Sequence, residues 1–225
     1  MTQPPTGHRA SMASRQEAGD SLDYFPSPPW WGRAIGDALI QLGLPLGQTV
    51  EEPACGEGHL VHGLKDRFAV VRGSDIHDYG RGFPVRDFLA PGVMPAGRPD
   101  WIITNPPFAE RTAQFIRRAV GRARIGTAML LQLRLLEGPG RYRLFRECGL
   151  YATVVVPRGR SGLRKGLWQP GLSTATAYAW FIFLPPGVVP GWRGFEGEAR
   201  QIWINPGAGD RLTRESDAAF AGLLR

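Results

Sequence analysis

Thr49-Val50-Glu51-Glu52-Pro53-Ala54-Cys55-Gly56-Glu57-Gly58-His59-Leu60 reads as a short strand, a glycine-bearing turn and the opening of a helix. Leu60, Val61 and Leu64 give that helix an apolar face. Gly56 and Gly58 allow a ligand to approach the backbone closely, and a helix N-terminus favours an anionic group such as a carboxylate. Val61 stands where a dinucleotide fingerprint has its third glycine, so that motif is incomplete. A strand that enters a helix through a glycine turn is the unit from which doubly wound α/β folds are built.

The rest of the chain continues the alternation. Residues 68–75 form a second apolar run that ends in an acid, Asp75. In doubly wound folds a carboxylate roughly 20 residues beyond the glycine turn accepts hydrogen bonds from ribose hydroxyls; Asp75 fits that place, and Asp78 is the second candidate. Trp101-Ile102-Ile103 is a short buried strand that runs into Thr104-Asn105-Pro106-Pro107-Phe108. Two prolines stop the strand, and each forces the residue before it into an extended conformation. Asn105 is thereby held stiffly at the strand end, with its amide oxygen and a proline carbonyl as acceptors and Phe108 as a stacking face.

Phe115, Ile116, Ala119 and Val120 predict a helix over about 109–123, made basic by Arg111, Arg117, Arg118, Arg122 and Arg124. Strands are expected over 125–133, 150–156, 178–184 and 201–204, with a helix ending at Cys148. Upstream, Ser27 suits an N-cap and Pro28 the first helical position, while Trp31, Ile35, Ala38, Leu39 and Leu42 share one helical face before Gly43. The pattern predicts a Rossmann-like doubly wound α/β domain over 21–208, with a mostly parallel seven-stranded sheet. Residues 1–20 read as a disordered arm and 209–225 as a peripheral tail with a short helix near its end. Met1 and Met12 are both possible native starts.

The chain has 225 residues, 43% hydrophobic and 21% charged, enough for one sizeable core. A formal charge of +7 favours a polyanionic partner. Two cysteines, Cys55 and Cys148, do not make a disulfide framework, which with the lack of an early apolar segment points to a cytoplasmic protein. The longest apolar run is too short to span a bilayer, so no membrane partner is expected. Cys55, His59 and His62 lack a fourth ligand, so no metal is expected.

Several blocks resemble the class I S-adenosylmethionine-dependent amino-methyltransferases, above all the phage-type DNA adenine-N6 family. They are Phe25-Pro26-Ser27-Pro28-Pro29-Trp30, Glu52-Pro53-Ala54-Cys55-Gly56-Glu57-Gly58, Asp87-Phe88-Leu89 and Asn105-Pro106-Pro107-Phe108, in that order. The resemblance runs from about residue 24 to 205 and implies a sheet whose seventh strand, 178–184, is antiparallel. It implies a cofactor pocket of Phe25, Ser27, Trp30, Glu52, Ala54, Cys55, Gly56, Gly58, Asp75 and Asn105. Asp87 would accept from the cofactor's adenine amine and Phe88 would line that ring. Asn105, Pro106, Pro107 and Phe108 would be catalytic, holding an adenine amino group for methyl transfer. Serine at position 27 replaces the family's threonine and keeps the hydroxyl.

Residues 157–168 hold Arg158, Arg160, Arg164, Lys165 and Trp168 among glycines. This run is either a solvated connector or a nucleic-acid contact, with cations on phosphates and Trp168 stacked on a base. DNA is the expected substrate ahead of RNA. The same motif also serves RNA adenine and protein glutamine methyltransferases, and a non-catalytic nucleic-acid-binding module is the further alternative.

Overall fold

The computed structural model describes residues 24–92, 97–107, 111–157, 163–164, 167–168 and 176–221. The expected disordered arm lies outside these residues. Its elements are helix α1 (Pro29–Gln41), strand β1 (Thr49–Glu52), helix α2 (His59–Leu64), strand β2 (Val70–Gly73), strand β3 (Trp101–Thr104) and helix α3 (Arg111–Arg122). There follow strand β4 (Gly126–Gln132), a 3₁₀ helix (Leu133–Glu137), helix α4 (Arg141–Cys148) and strand β5 (Leu150–Val155). A small hairpin, β6 (Leu163–Arg164) with β7 (Leu167–Trp168), precedes β8 (Tyr178–Phe183) and β9 (Arg200–Trp203). Helix α5 (Ala208–Leu212) and a second 3₁₀ helix (Glu215–Phe220) complete the described chain.

Seven strands form one sheet in the order β2-β1-β3-β4-β8-β5-β9. The β1–β2, β1–β3, β3–β4 and β5–β9 pairs are parallel, and β8 alone runs antiparallel to its neighbours β4 and β5. The expected antiparallel strand is therefore present, but β9 follows it in the chain and lies outside β5 at the sheet edge.

Side-chain alternation along the central strands divides the core in two. Trp101, Ile103, Ala128, Leu130, Trp180 and Ile182 pack with α1, α2 and α5 on one face. Ile102, Met129, Leu131, Phe181 and Phe183 meet Phe115 and Ile116 of α3 and Leu144 and Phe145 of α4 on the other. Helices cover both faces, as continuous hydrophobic runs in parallel strands require. Helices α1 and α2 cross at glycines: a Cβ on Gly63 would lie 1.8 Å from the Pro29 carbonyl oxygen. Asp100 joins the starts of β1 and β3 by accepting from the Gln48 and Thr49 amides at 2.7 and 2.9 Å.

Two expectations change. Ser27 does not cap α1; Pro28 is the N-cap, with no side-chain hydrogen bond, because the Ser27 hydroxyl is engaged elsewhere. The segment from Gly209 is not peripheral, since Arg33 of α1 makes a bidentate pair with Asp217 at 2.7 and 2.7 Å. Both side chains are 1% exposed. Arg33 also donates to the Leu212 carbonyl at 2.8 Å and Asp66 at 2.5 Å. Among the described residues no helix is long and apolar enough to cross a membrane.

Candidate functional site

A cleft of about 320 Å³ opens where β1 and β3 end and α1 begins. That volume lies at the lower end of the range for small-molecule sites. Phe25, Ser27, Glu52, Ala54, Cys55, Asp75, Asp87, Phe88, Asn105, Pro106 and Pro107 line it, so four blocks distant in sequence, with Asp75, meet at one cavity. Phe108, expected as the stacking ring, lies outside the described residues.

Three expected pocket residues are not on its wall. Trp30 is 3% exposed and sits edge-on against Trp31, with Gly209 of α5 beside it. Gly56 and Gly58 lie behind the wall, where the space a Cβ would need is taken by the protein's own aromatics. A Cβ on Gly56 (φ 53°) would meet Tyr24 at 2.3 Å, and one on Gly58 (φ 89°) would meet Phe83 at 2.5 Å. The two glycines thus seat Tyr24 and Phe83.

Asn105 carries the clearest geometry. Its Nδ2 donates to the Phe25 carbonyl at 2.9 Å and the Ser27 hydroxyl at 3.1 Å. A carbonyl can only accept, so the amide must turn its NH₂ toward Phe25 and its oxygen the other way. That oxygen, Oδ1, is buried and has no partner among the described residues. The segment before α1 therefore works as a clamp that aims the Asn105 acceptor, which explains why Ser27 is not free to cap the helix.

Glu52, at the end of β1, is 1% exposed. Its Oε1 accepts from the Thr104 hydroxyl and from the Ala54 amide, whereas Oε2 is buried without a partner among the described residues. Burial pushes its carboxyl up to about 8 against the effect of the two hydrogen bonds, with the Asp75 charge adding to the rise. Asp75 accepts from the Gly56 amide at 2.8 Å and the His77 amide at 3.0 Å, fixing the glycine turn to the end of β2. Asp87 accepts from the Leu89 amide at 2.8 Å and stands 3.7 Å from Arg111. Phe88 is buried against Phe115, ring centroids 5.0 Å apart. Burial raises the Cys55 thiol above its ordinary range, helped by the Glu52 and Asp75 carboxylates, so it stays protonated and is no nucleophile.

Sequence reasoning missed Tyr24, His59, Tyr79, Arg86 and Arg111 as wall residues. Tyr24 and Tyr79 meet as a tilted pair, ring centroids 4.6 Å apart, and burial pushes the Tyr79 phenol up to about 12. Tyr24 precedes a motif that was read, but nothing local marks its ring as the cover of Gly56. Asp78, the alternative acid, is not on the wall; it accepts from the Gly80 amide at 2.7 Å.

Most basic residues of α3, and Arg124 just after it, are engaged by the protein's own groups. Arg117 pairs with Glu147, Arg122 with Glu51 and Arg124 with Asp100, and Arg118 donates to the Ala90 carbonyl and lies over Phe88. Arg86 and Arg111 remain at the cleft rim. Trp168, expected to stack on a base, is buried at 2% exposure with its ring edge-on to His59, so it offers no open face in this conformation. Arg158, Arg160, Lys165 and the Arg164 side chain lie outside the described residues. Among the described residues no group of three His, Cys, Asp or Glu stands together to hold a metal ion.

No protein-family model and no curated protein sequence matches the chain. Among solved structures, the methyltransferase subunit of a type I restriction-modification system from Streptococcus thermophilus aligns with a TM-score of 0.54 at 13% identity. The fold is one that methyltransferases use. That alignment covers 72% of this chain and 45% of the subunit, so the chain spans a little under half of the subunit's length. Magnesium protoporphyrin IX methyltransferase from Synechocystis, crystallised with S-adenosylmethionine, aligns with a TM-score of 0.48 at 15% identity, over 70% of this chain and 79% of that one.

Proposed function

We propose that this protein transfers a methyl group from S-adenosylmethionine to the exocyclic N6 amine of adenine in DNA. The observation that carries the reading is the clamped Asn105 amide, whose buried oxygen has no partner among the described residues, on a residue that lines a cleft built from the other expected blocks. The cleft suits the cofactor: aromatic walls from Tyr24, Phe25 and Phe88, a carboxylate at Asp75 for ribose hydroxyls, and an unpaired Glu52 oxygen for an ammonium group. S-adenosylmethionine supplies, when bound, an electrophilic methyl on a sulfonium centre.

The protein's own task is positioning. An amine conjugated to a purine is a poor nucleophile because its lone pair is delocalised. Asn105 Oδ1 and the Pro106 carbonyl would take its two N–H bonds, favour a more tetrahedral nitrogen and direct the lone pair toward the methyl donor. Such catalysis needs orientation and electrostatic stabilisation, with no nucleophilic side chain. In duplex DNA the base must leave the stack at a cost of a few kcal/mol. Stacking on the aromatic residue after Pro107 would offset much of that, at about 1–3 kcal/mol per base.

The test is transfer of labelled methyl groups to duplex DNA, structured RNA and protein acceptors side by side. Duplex DNA should be the best acceptor. Asn105→Ala should lower the rate on the order of 10²–10³-fold, as loss of one aimed polar group does, while cofactor affinity is largely kept. Full activity of that variant on any acceptor would refute the mechanism.

A further inference from the structure

The cleft holds a further buried acceptor, beyond Asn105 and Glu52, that the reading above does not use. His59 is the first residue of α2, is 4% exposed and lines the cleft. Its Nε2 lies 2.9 Å from the Phe220 carbonyl oxygen. A carbonyl accepts only, so the proton sits on Nε2, and Nδ1 carries the lone pair. Nδ1 is buried and without a partner among the described residues. Burial holds the imidazole below its ordinary pKa, which keeps the ring neutral in this state.

Besides the Tyr24 hydroxyl, three buried side-chain atoms of residues on this wall lack a partner among the described residues, Glu52 Oε2, His59 Nδ1 and Asn105 Oδ1, and each accepts once an incoming cation draws the Glu52 carboxyl into its ionised form. Buried polar atoms are rarely left unpaired, and acceptors grouped in a cleft call for a ligand rich in N–H donors. Glu52 and His59 flank the same glycine turn, and an ammonium group has three donors to share between them. The Phe220 carbonyl that fixes the tautomer belongs to the C-terminal 3₁₀ helix, which Asp217 anchors to Arg33.

Resting on the cofactor reading above, we infer that His59 Nδ1 is an acceptor for the ammonium group of the cofactor's amino-acid end, and that the C-terminal segment sets the tautomer that makes it one.

The experiment compares wild type with His59→Gln and His59→Asn by calorimetry, using S-adenosylhomocysteine and methylthioadenosine, which lacks the amino-acid end. Glutamine places its amide near the Nε2 position and can keep the bond to Phe220; asparagine places its oxygen near the Nδ1 position. His59→Gln should bind S-adenosylhomocysteine roughly 10- to 150-fold more weakly, the range for one hydrogen bond to a charged group. Its methylthioadenosine affinity should not change. His59→Asn should recover most of the loss. A purely structural histidine would give the reverse order, with glutamine the better replacement, and would overturn the inference. Equal losses on both ligands, or none on either, would also overturn it while leaving the cofactor reading intact. Absence of S-adenosylhomocysteine binding by wild type would overturn both.

Discussion

Replacing Asp217 with asparagine keeps its size and removes the more deeply buried of the two carboxylates that Arg33 faces, leaving Asp66. Arg33 reaches Asp217 through two 2.7 Å bonds, and a third contact, the Arg214 amide to Oδ2 at 3.0 Å, also depends on this carboxylate. An asparagine can offer one acceptor and must point an NH₂ at a second donor. With both native side chains 1% exposed, water cannot replace the lost partner. Breaking a buried pair from one side costs about 3–5 kcal/mol. At roughly 2–4 °C per kcal/mol for a domain of this size, the midpoint of thermal unfolding should fall by about 6–20 °C. Thermal melts followed by circular dichroism measure the midpoint, and urea titration measures the free energy. Removing both charges, Arg33→Met with Asp217→Leu, should recover about half of the loss or more, because the guanidinium that lost its buried partner is gone. A shift below about 2 °C for Asp217→Asn, or a double variant no better than the single one, would refute the account of the pair as a buried anchor.

Two further outcomes follow from packing and charge. Gly63→Ala should destabilise by about 3 kcal/mol or more, since its Cβ would meet the Pro29 carbonyl at 1.8 Å and α1 would have to move off α2; near-native urea stability would contradict that crossing. Asp100 is held at about 2, because the Gln48 and Thr49 amides and Arg124 outweigh the effect of burial, which acts the other way. Its folded value is below the unfolded one, so its stabilisation is full above about pH 4 and is lost as pH falls toward 2. Asp100→Asn should therefore flatten the acid limb of the stability curve by about 2 kcal/mol. An unchanged acid limb would rule out this linkage.

The elements that sequence conveyed well are those whose signals are local. Two prolines after Trp101–Thr104 end a strand wherever they occur, and the Phe115, Ile116, Ala119 spacing is a helix face in any context. What was illegible depended on partners far along the chain. Ser27 has the composition of a cap, and only folding brings it to Asn105, 78 residues away. The arginines of α3 look like an open basic face; their engagement by Glu51, Ala90 and Glu147 is settled by neighbouring elements that composition does not rank. Arg33 resembles any solvated charge of an amphipathic helix, and its partner is 184 residues later in a segment of short, weakly patterned turns. In the candidate site, the glycine turn and the Asn-Pro-Pro run were readable, whereas Tyr24 over Gly56 and His59 beneath Phe220 carry no periodic or motif signal.

Strand β8 joins the sheet from the middle. Until it inserts, β2-β1-β3-β4 and β5-β9 share no backbone ladder, and β4 and β5 each present an open edge made of buried apolar residues. Sheets that must wait for long-range pairing fold slowly, and unprotected hydrophobic edges associate between chains. Refolding yield should therefore fall as protein concentration rises, with the commitment step being the arrival of Tyr178–Phe183 between its two neighbours. The strand that closes the hydrophobic sheet is also the one whose lateness exposes the chain to aggregation.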